Sequence, residues 1–211
     1  MGDNAVITVE NLSKTYQDGG WRPRDIVALS GVSFDVRPGE VFGLLGPNGA
    51  DKTTFIKVLL GIIRASQGKA SMLGHAAGDR RSRERVGYLP ERLQIPRHLN
   101  ARTALEYYGQ LSNVPLGEVQ ARREDLLTLV GLRDRAGDSV RKYSKGMLQR
   151  LGLAQALVHN PDLLILDEPT DGLDPVGRSQ VRSIIARLRD EGNTIFLNSH
   201  LLQDGELICD R

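Results

Sequence analysis

One stretch, Glu40 to Thr54 (EVFGLLGPNGADKTT), limits what this chain can become more than any other. Val41 to Leu45 is a short apolar run between the turn residues Pro38-Gly39 and Gly46-Pro47, the pattern of a strand buried on both faces. Beyond it, Phe55, Ile56, Val58, Leu59 and Ile62 recur at helical spacing. A glycine-rich loop between a buried strand and a helix aims backbone N–H groups and the positive helix end at one point, which makes an anion site. In the phosphate-loop pattern G-x-x-x-x-G-K-[ST] the lysine reaches the outer phosphates and the hydroxyl holds Mg²⁺. Gly46, Lys52 and Thr53 match it, and Asp51 stands where the second glycine is required.

The length of 211 residues suits one substantial core, or a core with an inserted lobe, and is too short for two complete nucleotide-binding domains. A formal net charge of +2 gives no reason to expect nucleic acid or an anionic membrane surface as the main partner. The cluster Arg80, Arg81, Arg83, Arg85 is expected to be a solvated loop. Cys209 is the only cysteine, so no internal disulfide forms and a reducing compartment is suitable. No run reaches the roughly 18 apolar residues needed to span a bilayer, and MGDNAVITVE lacks the features of a signal peptide. Any link to a membrane is therefore expected to pass through another protein, without direct insertion.

Taken in order, Val6 to Val9 and Val32 to Val36 alternate as strands, with Gln17 to Asp25 a loop between them carrying Trp21. Lys69 to Leu73 and Val86 to Leu89 are further short strands. From Leu99 to Lys142 the periodicity is helical, with Ala104, Leu105, Tyr108 and Leu111 on one face and Val119, Leu126, Leu127 and Val130 on another. Helices from about Lys145 to Val158 and Val176 to Arg189 then alternate with strands Leu163 to Leu166 and Thr194 to Asn198. Alternating strands and helices predict an α/β fold with a parallel sheet whose ligands sit at the C-terminal strand ends, which puts Gly46, Asp167 and Ser199 at one edge.

The strand LLIL ends in Asp167 and Glu168, which suits Mg²⁺ binding by the first acid and activation of water by the second. Upstream, Tyr143-Ser144-Lys145-Gly146-Met147 opens a helix. Downstream lies TDGLDP, and the last strand ends in Ser199-His200. GPNGADKTT, YSKGMLQR, LLILDEPTDGLDP and NSH, in this order and spacing, resemble the ATPase subunit of an ATP-binding cassette (ABC) transporter over essentially the whole chain. YSKGM and GYLPE look most like the bacterial exporter-type branch.

The resemblance implies a P-loop NTPase core with a mostly parallel sheet, N-terminal antiparallel strands and an inserted helical lobe. The core would take residues 1–90 and 143–211 and the lobe 91–142, in one domain apparently truncated at its C-terminus. It further implies binding of ATP and Mg²⁺ by Gly46, Pro47, Asn48, Gly49, Ala50, Asp51, Lys52, Thr53 and Thr54, with Tyr16 stacked on adenine and Trp21 a weaker rival. Thr53, Asp167 and Glu91 would serve the metal; Glu168 would be the general base, His200 would contact the γ-phosphate, and Lys52 would complete the catalytic set. Ser144, Gly146 and Asp174 would act across a head-to-tail dimer of two cassettes. A separate membrane-spanning permease would be gripped by residues 92–99 and the lobe. The chain would then lie in the cytoplasm against the inner face of the cell membrane.

Three departures bear on activity. Asp51 adds a Cβ and a negative charge beside the phosphates, about 4 kcal/mol per charge pair at ~4 Å and a dielectric near 20; as a good helix N-cap it could also occupy the anion site itself. Glu91 replaces a glutamine common in the family, and Lys145 and Met147 replace its commoner residues. The favoured reading is an ATP-hydrolysing transporter subunit. A nucleotide-impaired binding or regulatory module is the alternative. A soluble ATPase of translation or DNA repair is disfavoured by the lack of a tandem cassette or long coiled coil.

Overall fold

The computed structural model describes residues 5–17, 19, 24–46 and 50–211, with Ala50 described by its backbone only. The expectations for Trp21, Pro47, Asn48, Gly49 and the Ala50 side chain lie outside the described residues. In chain order the elements are β1 (Ile7–Gln17), β2 (Asp25–Val36), β3 (Val41–Leu45), α1 (Ala50–Leu59), β4 (Gln67–Met72), β5 (His75–Ala76), α2 (Arg80–Arg83) and β6 (Val86–Leu89). They continue as α3 (Ala101–Leu111), α4 (Leu116–Leu129), α5 (Lys145–Leu157), β7 (Leu163–Asp167), α6 (Pro175–Asp190), β8 (Ile195–Ser199) and α7 (Leu202–Ile208).

Two sheets form. One is antiparallel, in the order β2-β1-β4-β5; the other is parallel, in the order β3-β8-β7-β6. The first strands run further than their alternation suggests. Asn11 adopts φ +46 at a shift in register between Val9 and Leu12, and its N–H is taken up by Ser33 Oγ at 2.8 Å. This bulge absorbs one break in the pattern, so β1 continues through Tyr16 and pairs it with Ile26. A Cβ on Gly68 would fall 2.2 Å from the Asn11 carbonyl oxygen, so only glycine lets β4 pass the bulge.

The parallel strands alternate between two apolar clusters. Leu163, Ile165 and Phe196 point to the side of α1 and the antiparallel sheet, where Phe34, Phe42, Phe55 and Phe196 stack with centroids 4.7–6.2 Å apart. Leu164, Leu166, Ile195 and Leu197 point to the opposite side, with Leu105, Leu127 and Leu151 from α3, α4 and α5. This period of two extends to the polar ends of the strands: Tyr88, Asp167 and Asn198 follow the parity of the α1 face.

Some expectations change in detail. Ile62 is 61% exposed because α1 ends at Leu59 and Gly61 takes φ +71. Leu111, the last residue of α3, is 63% exposed, beyond the point where Gly109 closes on Val119. Arg80, Arg81 and Arg83 of the arginine cluster form the short α2, capped by Asp79, with Arg81 paired to Asp79 and Arg80 to Glu84 at the surface, while Arg85 lies beyond it and pairs with Asp162. Gly205, a poor helix former, lies inside α7 because a Cβ there would come 2.2 Å from Leu45 Cδ1. Among the described residues no helix is long and apolar enough to cross a membrane.

Candidate functional site

The C-terminal ends of β3, β7 and β8, the segment after β6 and the first turn of α1 meet at one pocket of about 250 Å³, lined by Lys52, Thr53, Glu91, Glu168, Asp171, Asn198 and His200. Volumes of roughly 300–1,000 Å³ enclose whole small-molecule ligands, so this compartment takes only part of one. Lys52 is 8% exposed and donates from Nζ to the Gly46 carbonyl at 2.7 Å, reaching back to the end of β3.

Glu168 directly follows β7 with φ +52, a left-handed backbone that a non-glycine residue seldom adopts. Its N–H donates to the Asn198 carbonyl at 2.9 Å. Its carboxylate meets His200 from β8's end: Nδ1 lies 2.7 Å from Oε2, and the His200 backbone N–H donates to the same oxygen at 3.2 Å. Asp167 is 1% exposed and stands directly opposite Asn198 in the β7–β8 ladder, receiving its Nδ2–H at 2.6 Å. Burial pushes the Asp167 carboxyl above its ordinary range, as do the Glu91 and Glu168 carboxylates, against the lowering effect of the Asn198 hydrogen bond. Tyr88, one strand over, is pushed up to about 12 by burial and by Asp167 and Glu91.

Ser199 and Thr170 flank this pair from behind. Both hydroxyls donate to the fully buried Asp204, at 2.7 and 2.6 Å, and Arg182 Nε donates to its other oxygen at 2.7 Å. One α7 carboxylate thus ties together the segments carrying Glu168 and His200.

The family model for the ABC transporter matches residues 29–171, which runs from β2 past the acids of β7. The chain belongs to the ABC transporter family of ATP-binding proteins. An uncharacterized ABC transporter ATP-binding protein of Synechocystis sp. is 49% identical over 98% of this chain and 59% of the relative. The linearmycin resistance ATP-binding protein of Bacillus subtilis is 34% identical over 98% of the chain and 65% of the relative, and a Nod factor export ATP-binding protein of Burkholderia thailandensis is 38% identical over 98% and 66%. The cassette therefore spans about three-fifths to two-thirds of the length of these relatives. A solved ATP-binding subunit of an ABC transporter superposes with TM-score 0.80 at 29% identity, over 97% of this chain and 83% of that one. A dimeric ATP-binding cassette in a post-hydrolysis state with ADP and Pi shares the fold, with TM-score 0.82 at 22% identity.

Within the cassette, the pocket gathers five residues expected at the site, namely Lys52, Thr53, Glu91, Glu168 and His200, with Asp167 immediately behind them. Tyr16 lies at the end of β1, its hydroxyl 3.3 Å from Thr54 Oγ1 and Lys14 Nζ 5.0 Å from its ring centre. Asp51 is in the first turn of α1, not ahead of it, so it does not cap the helix from outside. It is exposed and lines an adjoining cleft of about 240 Å³ with Ala28, Leu29, Ser30, Val32, Leu44, Phe55 and Lys52, the last shared with the pocket.

Ser144, Gly146 and Asp174 are not in the pocket. Ser144 caps α5 by accepting from Met147 N, Asp174 caps α6 by accepting from Gly177 N at 2.6 Å, and Gly146 lies beside Gly177. Asn198, Asp171 and Tyr88 join the site unforeseen. A polar Asn198 directly after the apolar run Ile195–Leu197 of the fully buried β8 was the available signal.

Proposed function

We propose that this chain binds ATP with Mg²⁺ and hydrolyses it as one half of a head-to-tail pair of cassettes, driving a membrane-spanning permease. The observation that carries the reading is the convergence of Lys52, Thr53, Glu91, Glu168 and His200 on one pocket at the C-terminal edge of a parallel sheet. Lys52, the Gly46 loop and the first turn of α1 bind phosphate oxygens by charge and N–H donors. His200 is oriented through Nδ1 by Glu168, which leaves Nε2 for the γ-phosphate. Glu168, 8% exposed and held by His200, accepts the proton of the attacking water. Tyr16 and the cleft near α1 lie where the nucleoside end would extend.

The donor set fits a magnesium ion. Thr53, Glu91 and Asp167 offer only hard oxygen atoms, and the four carboxylates lining or backing the pocket, Glu91, Asp167, Glu168 and Asp171, favour a divalent cation beside Lys52. When bound, Mg²⁺ would neutralise charge on the outer phosphates during transfer. Ser144, Gly146 and Asp174, exposed or half-exposed at their helix starts, would face the nucleotide of a second cassette. Residues 1–90 and 143–211 would act as the core and 91–142 as the lobe that receives the permease. A groove of about 850 Å³ lined by Leu93, Ile95, Arg97, Val140, Tyr143 and Leu148 supports that docking face. The permease would hold the chain at the inner membrane surface, and the name of the Burkholderia relative, a Nod factor export protein, favours an export role.

Fluorescent-ATP binding and single-turnover hydrolysis test this. Glu168→Gln should bind ATP normally and hydrolyse it at least ~100-fold more slowly; undiminished hydrolysis in that variant would refute the assignment. A second reading, a nucleotide-impaired regulatory module, rests on the carboxylate of Asp51 in the first turn of α1.

A further inference from the structure

Asn198 is 1% exposed near the C-terminal end of the inner strand β8, and it holds Asp167 of β7 and the following Glu168 at once. Its carbonyl receives the Glu168 N–H at 2.9 Å, and its Nδ2 donates to Asp167 Oδ1 at 2.6 Å. The amide orientation follows from chemistry, since the reverse would set two acceptors against each other. That leaves Oδ1, which is buried and has no hydrogen-bond partner among the described residues, although Asn198 forms part of the pocket wall. A buried amide oxygen without a partner is costly, and in a functional pocket it marks a place where a ligand group belongs.

The missing partner must be a donor. Phosphate oxygens accept, as do the neighbouring carboxylates of Asp167, Glu91 and Glu168. Water is the donor that a nucleotide–metal complex brings, and a metal-bound water donates more strongly because the ion polarises it. Mg²⁺ keeps several waters when it binds through few protein groups.

We propose that Asn198 is a further positioning residue of the nucleotide site: Nδ2 sets the rotamer of Asp167, and Oδ1 accepts a hydrogen bond from a water of the bound metal. The inference rests on the ATP and Mg²⁺ reading above. Asp167 and Asn198, opposed in the β7–β8 ladder, then form two adjacent acceptors for one hydration shell.

The chain and its Asn198→Leu and Asn198→Ser variants are titrated with Mn²⁺ in a saturating non-hydrolysable ATP analogue, free Mn²⁺ being read by electron paramagnetic resonance. Nucleotide affinity is measured separately in EDTA. Asn198→Leu, similar in volume, should weaken Mn²⁺ binding ~10–100-fold, the range for loss of an outer-shell partner, with the EDTA affinity unchanged. Asn198→Ser, whose hydroxyl still accepts, should fall between; if the leucine variant does not fold, the serine variant decides by the same two measurements. Unchanged Mn²⁺ affinity in the variants overturns the proposal, and so does a parallel fall in EDTA affinity, which would mark a merely structural role. No nucleotide binding by the unsubstituted chain would refute the parent function and this inference with it.

Discussion

Replacing Asp51 with glycine should move nucleotide affinity and stability in opposite directions. Asp51 is exposed and lines the cleft beside Ala28 and Phe55, which shares Lys52 with the pocket of Glu168 while Asp51 itself does not line that pocket. Taking ~6 Å to the nearest phosphate charge, the repulsion is about 3 kcal/mol at an effective dielectric near 20 and about 0.7 kcal/mol at that of bulk water. For a solvent-facing carboxylate the expected gain on removal is about tenfold in ATP affinity, well short of the thousandfold that a ~4 Å contact would give. The empty protein loses an acid from the first turn of α1, worth roughly 0.3–1 kcal/mol, and acquires a poorer helix former. Together these lower stability by about 1 kcal/mol, or roughly 2–4 °C for a chain of this size. Displacement of a fluorescent ATP analogue and thermal melts of the parent, Asp51→Ala and Asp51→Gly measure both. Alanine removes the charge and keeps the Cβ, so it should recover most of the affinity. If neither variant binds ATP more tightly, or glycine alone does, electrostatic repulsion is not the obstacle.

His200→Ala removes the group holding Glu168 Oε2, and single-turnover hydrolysis should fall ~10²-fold or more while ATP affinity changes far less; equal losses would contradict a role in aligning the base. Asp167→Asn should raise the melting temperature of the nucleotide-free chain at pH 7. The folded Asp167 carboxyl is pushed upward, so its stabilising contribution is present below the ordinary value of 3.8 and is lost as pH rises through the higher folded value; a lower melting temperature would refute this. Glu40 behaves oppositely: burial raises its pKa, but Arg211 and the Arg37 N–H lower it further, so it is held below 4.5. Its stabilisation is therefore present above that value and fades as pH falls through the lower folded one. Arg211→Ala should shrink the drop in melting temperature between pH 5 and pH 3, and an unchanged drop would count against the Glu40–Arg211 pair.

The sequence displayed the strands β3, β6, β7 and β8 because each is a short apolar run between turn residues, and their polar ends identified Asp167, Glu168 and His200. It did not show how far β1 and β2 extend, because that depends on the left-handed Asn11 and on pairing between residues far apart in the chain. The same limit hid Asn198. Its polarity within a buried strand was visible, but its place opposite Asp167 is set by sheet register, which no local pattern carries. Ser144 and Asp174 were legible as residues at helix starts, and their cap hydrogen bonds explain their local fit without drawing on a second copy.

The strand order has a consequence for how the chain comes into being. β8, formed by residues 195–199, lies between β3 and β7, so the first strand of the parallel sheet reaches the others only through one made some 150 residues later. During synthesis β6 and β7 can pair, but β3 must wait with its phosphate loop attached and no neighbour on the β8 side. Contacts so distant in sequence close slowly. Until the segment ending in His200 has emerged, the Glu168 carboxylate lacks the side chain that holds it and β3 lacks its β8 neighbour, so the pocket is completed only by the last strand of the sheet.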